Sequence, residues 1–247
     1  MTGGVIVTGG SRGIGAATAR MLAQQGWAVC VNYRQRADAA SVLVDEIRER
    51  GGTAIAVGCD VALEADVYRL FDTAEQAFGR VSGLVNNAGI LAPASRLGDM
   101  DLDRWNSTIA TNLTGVFLCA REAVRRMARS RGGAGGAIVN VSSMAAVLGA
   151  AHEFTDYAAA KGGVDSLTIG LAKEVAGDGI RVNGVRPGLI ATDIHASSGT
   201  DRIGNLVASV PIQRAGTADE VASVIAWLLS DGASYCCGTT VNVSGGR

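Results

Sequence analysis

Strong charge of either sign is missing from this chain. Lys+Arg 22 against Asp+Glu 23 leaves a formal net charge of −1 over 247 residues. With no basic field to collect phosphate backbones, the composition argues against a dedicated nucleic-acid binder. Long apolar runs are missing too. No stretch reaches the roughly 18 uncharged apolar residues that a membrane span requires, and no basic-then-apolar leader opens the chain. The cysteines form no metal pattern: Cys30, Cys59, Cys119, Cys236 and Cys237 are odd in number and lack zinc-ligand spacing. The first three sit in apolar stretches and read as buried free thiols. The adjacent Cys236 and Cys237 are too close for an ordinary disulfide. A reducing, cytoplasmic setting is the expectation. Proline is scarce at 3 residues, and no linker, internal repeat or low-complexity tract breaks the chain.

Glycine and apolar residues are plentiful. Gly 34 without a collagen period implies many tight turns and close backbone approaches. A hydrophobic content of 48% beside 18% charged residues is the mix of a globular domain with ample core material.

The apolar residues alternate between short β-branched runs and helix-period segments. Strands are expected at 4–10, 28–33, 53–60, 81–89, 137–143, 180–188 and 239–246, several of them running into exit loops. Helices are expected at 13–25, 37–50, 63–78, 101–130 (broken near 112–115), 155–176 and 217–229. Residues 192–210 read as polar and irregular. Alternation of this kind implies right-handed crossovers and a parallel sheet covered by helices on both faces. The uniformly apolar strands agree with burial on both sides. The prediction is α/β: one doubly wound Rossmann domain over 1–247, with a central parallel seven-stranded sheet. Ligands of such sheets lie beyond the carboxyl ends of the strands.

The first strand runs into TGGSRGIG (8–15). Gly9, Gly13 and Gly15 depart from the usual G-x-G-x-x-G spacing but answer the same needs: a tight turn, backbone close to a pyrophosphate, and a helix packed close to the sheet. The helix opening there offers free N–H groups to phosphate. Strand before and helix after make the loop a dinucleotide-site candidate. An NAD-preferring site places an acid at the end of the second strand, on the ribose 2′-hydroxyl. Here Tyr33 and Arg34 stand at that point, and the first acid is Asp38. Arg34, with Arg12 from the glycine loop, suits a 2′-phosphate. The expected cofactor is NADP(H) in preference to NAD(H).

YAAAK (157–161) puts a phenol and an ammonium one helical turn apart on the same face. A lysine close to a phenol favours the phenolate, which would make Tyr157 a usable proton donor and acceptor.

Taken in order, TGGSRGIG, NNAG (86–89), Asn112 in TNLTG, NVSS (140–143), YAAAK and RPGLIATD (186–193) resemble the short-chain dehydrogenases/reductases over essentially the whole chain. The branch holding 3-oxoacyl-carrier-protein reductases and glucose-type sugar dehydrogenases is the most similar. HASSG (195–199), PIQRAG (211–216) and VSGGR (243–247) look like a subgroup of uncharacterised bacterial oxidoreductases. The resemblance implies Tyr157 as general acid/base and Lys161 as ribose holder and modulator of Tyr157. It further implies Ser143 as the hydrogen bond to the substrate oxygen and Asn112 as a helix interruption binding a relay water. Ser142 faces the other way by strand alternation. For the cofactor it implies Gly9, Ser11, Arg12, Gly13, Ile14, Gly15, Tyr33, Arg34, Asp60, Val61, the NNAG stretch (Asn86, Asn87, Ala88, Gly89), Tyr157, Lys161, Pro187, Gly188, Ile190 and Thr192.

It also implies a homotetramer paired through the helices at 101–130 and 155–176 and the last strand, with a small-molecule carbonyl or alcohol substrate. A catalytically silent NADP-binding regulator or scaffold is the alternative, and sugar oxidation against 3-oxoacyl thioester reduction stays open. Three features depart from the commonest pattern: AAHEFTD with His152, Glu153 and Phe154 before Tyr157, Tyr33 itself, and Arg186, which suggests a structural ion pair. His195 is a weak substrate-contact candidate.

Overall fold

A computed structural model describes residues 3–191 and 207–247. Seven strands form one sheet: β1 Gly4–Val7, β2 Ala28–Tyr33, β3 Thr53–Gly58, β4 Val81–Asn86, β5 Gly136–Val141, β6 Ile180–Pro187 and β7 Thr240–Val243. Their order is β3-β2-β1-β4-β5-β6-β7, and every pairing is parallel. The order reverses between β1 and β4, which opens a crevice at the carboxyl edge there. This is the doubly wound α/β domain the alternating pattern predicts.

Helices cover both faces. On one side α1 (Gly13–Gln24), α2 (Ala37–Glu49) and the helix Ala218–Leu229 pack Leu22, Leu43, Ile47, Ile225 and Leu228 onto the sheet. On the other, α3 (Glu64–Phe78), α5 (Gly115–Met127) and α7 (Thr155–Val175) contribute Leu70, Phe71, Leu118, Met127 and Val175. Covered on both faces, β1, β4 and β5 are buried at every position. The helix after α7 in the described chain, Ala218–Leu229, is called α8; Thr217 and Glu220 close a reciprocal capping box at its start.

The long helical region does break where expected. α4 (Leu102–Ile109) and α5 are separated by a π-helical segment, Ala110–Thr114. The sequence pattern overruns several strands. β1 ends at Val7 rather than at 10, because the chain turns through Gly9 at φ 59°. β7 stops at Val243, before Gly245 and Gly246, both at positive φ. A short helix α6 (Ala145–Leu148) follows β5 and was not visible in the pattern. One turn is too short to show a period. Among the described residues no helix is long and apolar enough to cross a membrane.

A chain of buried amides ties the sheet to α7. Asn86 Nδ2 on β4 donates to Asn140 Oδ1 on β5 at 2.9 Å, and Asn140 Nδ2 donates to Thr168 Oγ1 on α7 at 2.9 Å. All three residues are buried. Each satisfies its neighbour, so the set fixes α7 against β4 and β5 without an orphaned polar group.

Candidate active site

The glycine loop is braced from β2 and from the loop after β4. Asn32 Oδ1 accepts from the Gly9 amide at 3.1 Å, and Asn87 Nδ2 donates to the Thr8 and Gly9 carbonyls at 2.9 and 3.0 Å. Gly15 lies beneath the turn. A Cβ there would collide with the Gly9 carbonyl and come within 2.6 Å of Asn87 Nδ2. Arg12 sits in extended backbone at the N-cap of α1, with no side-chain cap and no acid in the first turn. The opening amides of α1 thus meet a cleft whose wall includes Ser11, Arg12, Gly13 and Ile14. An uncapped helix start beside an open cleft suits an anion such as a pyrophosphate.

That lobe of the cleft holds about 220 Å³. Tyr33, Arg34, Asp60 and Val61 close its far end, and Asn87, Ala88 and Gly89 line the side of β4. Of the cofactor-contact candidates up to Gly89, two stand off the wall. Gly15 acts from beneath. Asn86 points away into the amide chain described above, so its place in NNAG is structural. The end of β2 carries no acid. Arg34 lies 3.6 Å from Asp60, and Arg36 pairs with Asp38 at 3.1 Å. Asp60 also accepts from the Ala62 amide, so it turns the backbone ahead of α3 as well as facing Arg34.

The second lobe, about 200 Å³, shares Ile14, Asn87 and Gly89 with the first. Together they run as one cleft along the carboxyl edge of the sheet. Ser143, Tyr157 and Lys161 all line this lobe, as do Pro187, Gly188 and Ile190. β5 ends at Val141, so strand alternation does not reach the two serines, and both border this lobe; their burial and bonding separate them instead. Ser142 is buried and donates to the Lys161 carbonyl at 3.2 Å, whereas Ser143 is only partly buried and accepts from the Ala145 amide at 3.1 Å. Lys161 donates from Nζ to the Val141 carbonyl at 2.7 Å and lies 5.6 Å from the centre of the Tyr157 ring. Thr192 and His195 lie outside the described residues, as does most of the 192–210 segment.

Burial dominates the protonation of this pair. It pushes the Tyr157 phenol up to about 12, with the Ser143 hydroxyl pulling the other way. It pulls the Lys161 ammonium down to about 8, against the charge of Asp165. The protein alone therefore drives both groups toward their neutral forms. The depression of Tyr157 by Lys161 that the resemblance implies is not seen here: burial raises the phenol, and the lowering comes from the Ser143 hydrogen bond.

Asn112 sits inside the π-helical segment and is fully buried. Its Nδ2 donates to the Ile90 and Thr108 carbonyls, both at 3.0 Å, and its Oδ1 accepts from the Ile90 amide at 3.0 Å. Both amide hydrogens are thus spent on protein. The side chain clamps the loop after β4, and a water at this point would have to bond to Oδ1 or to a main-chain group.

Two ion pairs flank the tyrosine and lysine. Arg104 on α4 grips Asp156, the residue before Tyr157, at 2.9 Å from Nε and 3.3 Å from Nη2. Asp156 also accepts from Thr108 at 3.1 Å. Arg186 on β6 bonds to Asp165 on α7 at 2.8 Å, which answers the question of what an arginine does before Pro187. The sequence offered no signal for Asp156 or Asp165, since both look like ordinary polar positions on a helix. His152 is exposed and in left-handed backbone at φ 68°, and it does not line the cleft. Glu153 and Phe154 do.

The family model described as enoyl-(acyl carrier protein) reductase matches residues 9–247. The chain is 50% identical over 243 residues to the uncharacterized oxidoreductase YgfF of Escherichia coli, covering 98% of each. It is 43% identical over 242 residues to a 3-oxoacyl-[acyl-carrier-protein] reductase of Synechocystis, covering 98% of this chain and 95% of that one. It is 42% identical over 241 residues to a cis-4-hydroxycyclohexanecarboxylate dehydrogenase of Sinomonas cyclohexanicum, covering 98% and 94%.

Proposed function

The chain belongs to the short-chain dehydrogenase/reductase family, oxidoreductases acting on CH–OH donors, and from that premise we propose that it moves a hydride between NADP(H) and a carbonyl or secondary alcohol. The observation that carries the reading is the convergence of Ser143, Tyr157 and Lys161 on one lobe of a cleft whose other lobe is an uncapped helix start. When bound, the nicotinamide supplies or accepts the hydride. The glycine loop, Ser11 and Ile14 would hold the pyrophosphate, with Pro187, Gly188 and Ile190 toward the nicotinamide end. Lys161 would hold the adjoining ribose.

For reduction, Ser143 and Tyr157 donate hydrogen bonds to the carbonyl oxygen as charge builds there, and Tyr157 delivers the proton. For oxidation Tyr157 takes the alcohol proton. Asn112 keeps the loop beside Lys161 in place. Arg12 and Arg34 support the NADP preference, since no acid stands at the end of β2 to repel a 2′-phosphate. Asp60 draws on Arg34, which leaves Arg12 as the stronger contributor. A binding-only role is not favoured, because the relatives are named as oxidoreductases and the three polar side chains share one lobe.

The substrate lobe is walled by Leu91, Met144, Leu148, Phe154 and Leu189. Such a wall suits a carbonyl flanked by hydrocarbon better than a polyol. The arginine run on α5 gives no support for a free docking patch for an acyl carrier. Arg121 pairs with Glu64, and Arg126 with Asp72, Glu75 and Glu122. Exposed Trp105 and Phe117 on α4 and α5, with Ile169 on α7, favour pairing of these helices between copies, in a homotetramer.

The test is NADPH oxidation against a carbonyl panel that includes an acetoacetyl thioester, a cyclic ketone and a keto sugar, with NADP reduction by the matching alcohols. Turnover on one class, lost in Tyr157→Phe while NADPH still binds, is the expected result. A Tyr157→Phe variant with near-normal turnover would remove the assignment.

A further inference from the structure

The sequence has only two lysines, Lys161 and Lys173, against twenty arginines. The fully enclosed cation of the cleft is thus one of the two that can give up its proton; arginine cannot. One turn further along the same face of α7 lies Asp165. Asp165 is buried, and only its Oδ2 is bonded, by Arg186 Nε at 2.8 Å. Its Oδ1 is buried and takes no hydrogen bond from the described residues. Arg186 is held in turn by Asn242 Oδ1 on β7 at 3.3 Å. A row therefore runs Tyr157, Lys161, Asp165 along α7 and out through Arg186 to the edge of the sheet.

We propose that Asp165 and Arg186 are positioning residues that set the charge of Lys161: Asp165 favours the ammonium form, and Arg186 anchors Asp165 and tempers that effect. This inference rests on the reading of Tyr157 and Lys161 as the proton-transfer pair. A carboxylate one turn from an enclosed amine, with one oxygen left without a donor, is a source of negative potential at that amine. The guanidinium beyond it contributes the opposite sign at greater reach.

The other groups around Lys161 do not supply this pattern. On α7 itself the remaining ionisable neighbours are Tyr157, and Asp156, which Arg104 neutralises. β5 presents the Val141 carbonyl, and the turn after it the hydroxyls of Ser142 and Ser143. The loop after β4 presents Gly89, and the π-helical segment presents the amide of Asn112. Glu153 and Arg247 line the same lobe with opposite charges.

Lys161 can be titrated without turnover. With only two lysines, the ε-carbon signals of carbon-13-labelled lysine resolve into two curves, and Lys173→Arg assigns them. In Asp165→Asn the Lys161 midpoint is expected to fall by about one pH unit. In Arg186→Gln it is expected to rise, and in Arg186→Lys to return toward wild type. Opposite signs are the decisive outcome, since a merely structural pair would move both variants the same way or neither. Midpoints that stay fixed, or that shift together, overturn the proposal. If Arg186→Gln fails to fold, Asp165→Asn and Arg186→Lys carry the test, and an unmoved midpoint in Asp165→Asn is sufficient to end it. The pH profile of alcohol oxidation is read in parallel. A dead Tyr157→Phe with an unmoved Lys161 midpoint refutes this inference alone, while an active Tyr157→Phe refutes the reading beneath it whatever the midpoint does.

Discussion

Replacing Arg104 by alanine should unbalance Asp156, the residue that precedes Tyr157. Asp156 has a side chain 1% exposed, and Arg104 meets it with two nitrogens at 2.9 and 3.3 Å. Burial works to raise the Asp156 carboxyl. The hydrogen bonds from Arg104, the Tyr157 amide and Thr108 outweigh it and hold the carboxyl below its usual range. Breaking a buried pair from one side strands the remaining charge and costs about 3–5 kcal/mol. Asp156→Asn leaves the charge on Arg104 instead, whose side chain is 15% exposed and can reach water at the rim. That variant should lose less, about 1–3 kcal/mol.

The pH dependence follows from the direction of the shift. A depressed carboxyl contributes stability above its unfolded value, near pH ~4, and loses it as pH falls through the folded value. In Arg104→Ala burial is opposed by fewer donors, so the carboxyl rises and protonation relieves it. The gap in unfolding free energy between wild type and Arg104→Ala should be widest near neutrality and shrink toward about pH 4. Urea unfolding across that range measures it. Because Arg104 also donates to the Pro93 carbonyl, turnover should fall too, by about tenfold to a hundredfold if the tyrosine shifts. An equal loss in Arg104→Ala and Asp156→Asn, or a gap unchanged with pH, would refute the reasoning.

Other perturbations separate the remaining roles. Gly15→Ala should abolish tight NADPH binding in a calorimetric titration, because its Cβ meets the Gly9 carbonyl and Asn87. Arg12→Ala should weaken NADPH about tenfold while leaving NADH nearly unchanged, in line with one lost charge-assisted hydrogen bond; equal loss for both cofactors would remove the 2′-phosphate role. Ser143→Ala should cost turnover about a hundredfold or more, and Ser142→Ala, which loses only a bond to the Lys161 carbonyl, should act mainly on stability. Light scattering should return a tetramer mass, and a monomer would refute the helix-pairing reading of Trp105, Phe117 and Ile169.

The legible parts of the molecule were those that one local rule determines. The strands are apolar on both faces and the glycines sit where the backbone turns, so the parallel sheet and the glycine loop were readable residue by residue. Strand alternation and the motif favour Ser143 over Ser142, yet both lie past the end of β5; what separates them is the bond that ties the buried Ser142 to the Lys161 carbonyl. Asn86 and Asn87 were not separable by alternation either. Both belong to NNAG, but Asn86 ends β4 and bonds across the sheet to Asn140, while Asn87 has left the strand and braces the glycine loop. Asp156 and Asp165 were invisible because their partners lie 52 and 21 residues away. A helix pattern registers a charge as surface until the tertiary fold buries it beside an arginine.

The same tertiary burial bears on how the pair in YAAAK can work. With Tyr157 near 12 and Lys161 near 8, both are neutral in the interval between. Below about 8 the lysine is charged but the phenol is protonated, so the ammonium cannot support a phenolate that is not there. Above it, the support has gone before the phenol ionises. Useful cooperation needs the two values brought toward each other, and the titrations of such a pair belong to both groups together. Raising Lys161 is the half of that task within reach of the protein, and Asp165 is the acid on the same helix face that does it. Lowering Tyr157 needs hydrogen bonds to the forming phenolate, and Ser143 is the side chain that supplies one in this structure. Loss of Asp165 and loss of Ser143 should therefore widen the interval from opposite ends. The pH at which alcohol oxidation turns on should rise in Ser143→Ala through the tyrosine. In Asp165→Asn the ammonium support should disappear at lower pH through the lysine. A double variant whose profile matched either single one would show that only one of these levers acts.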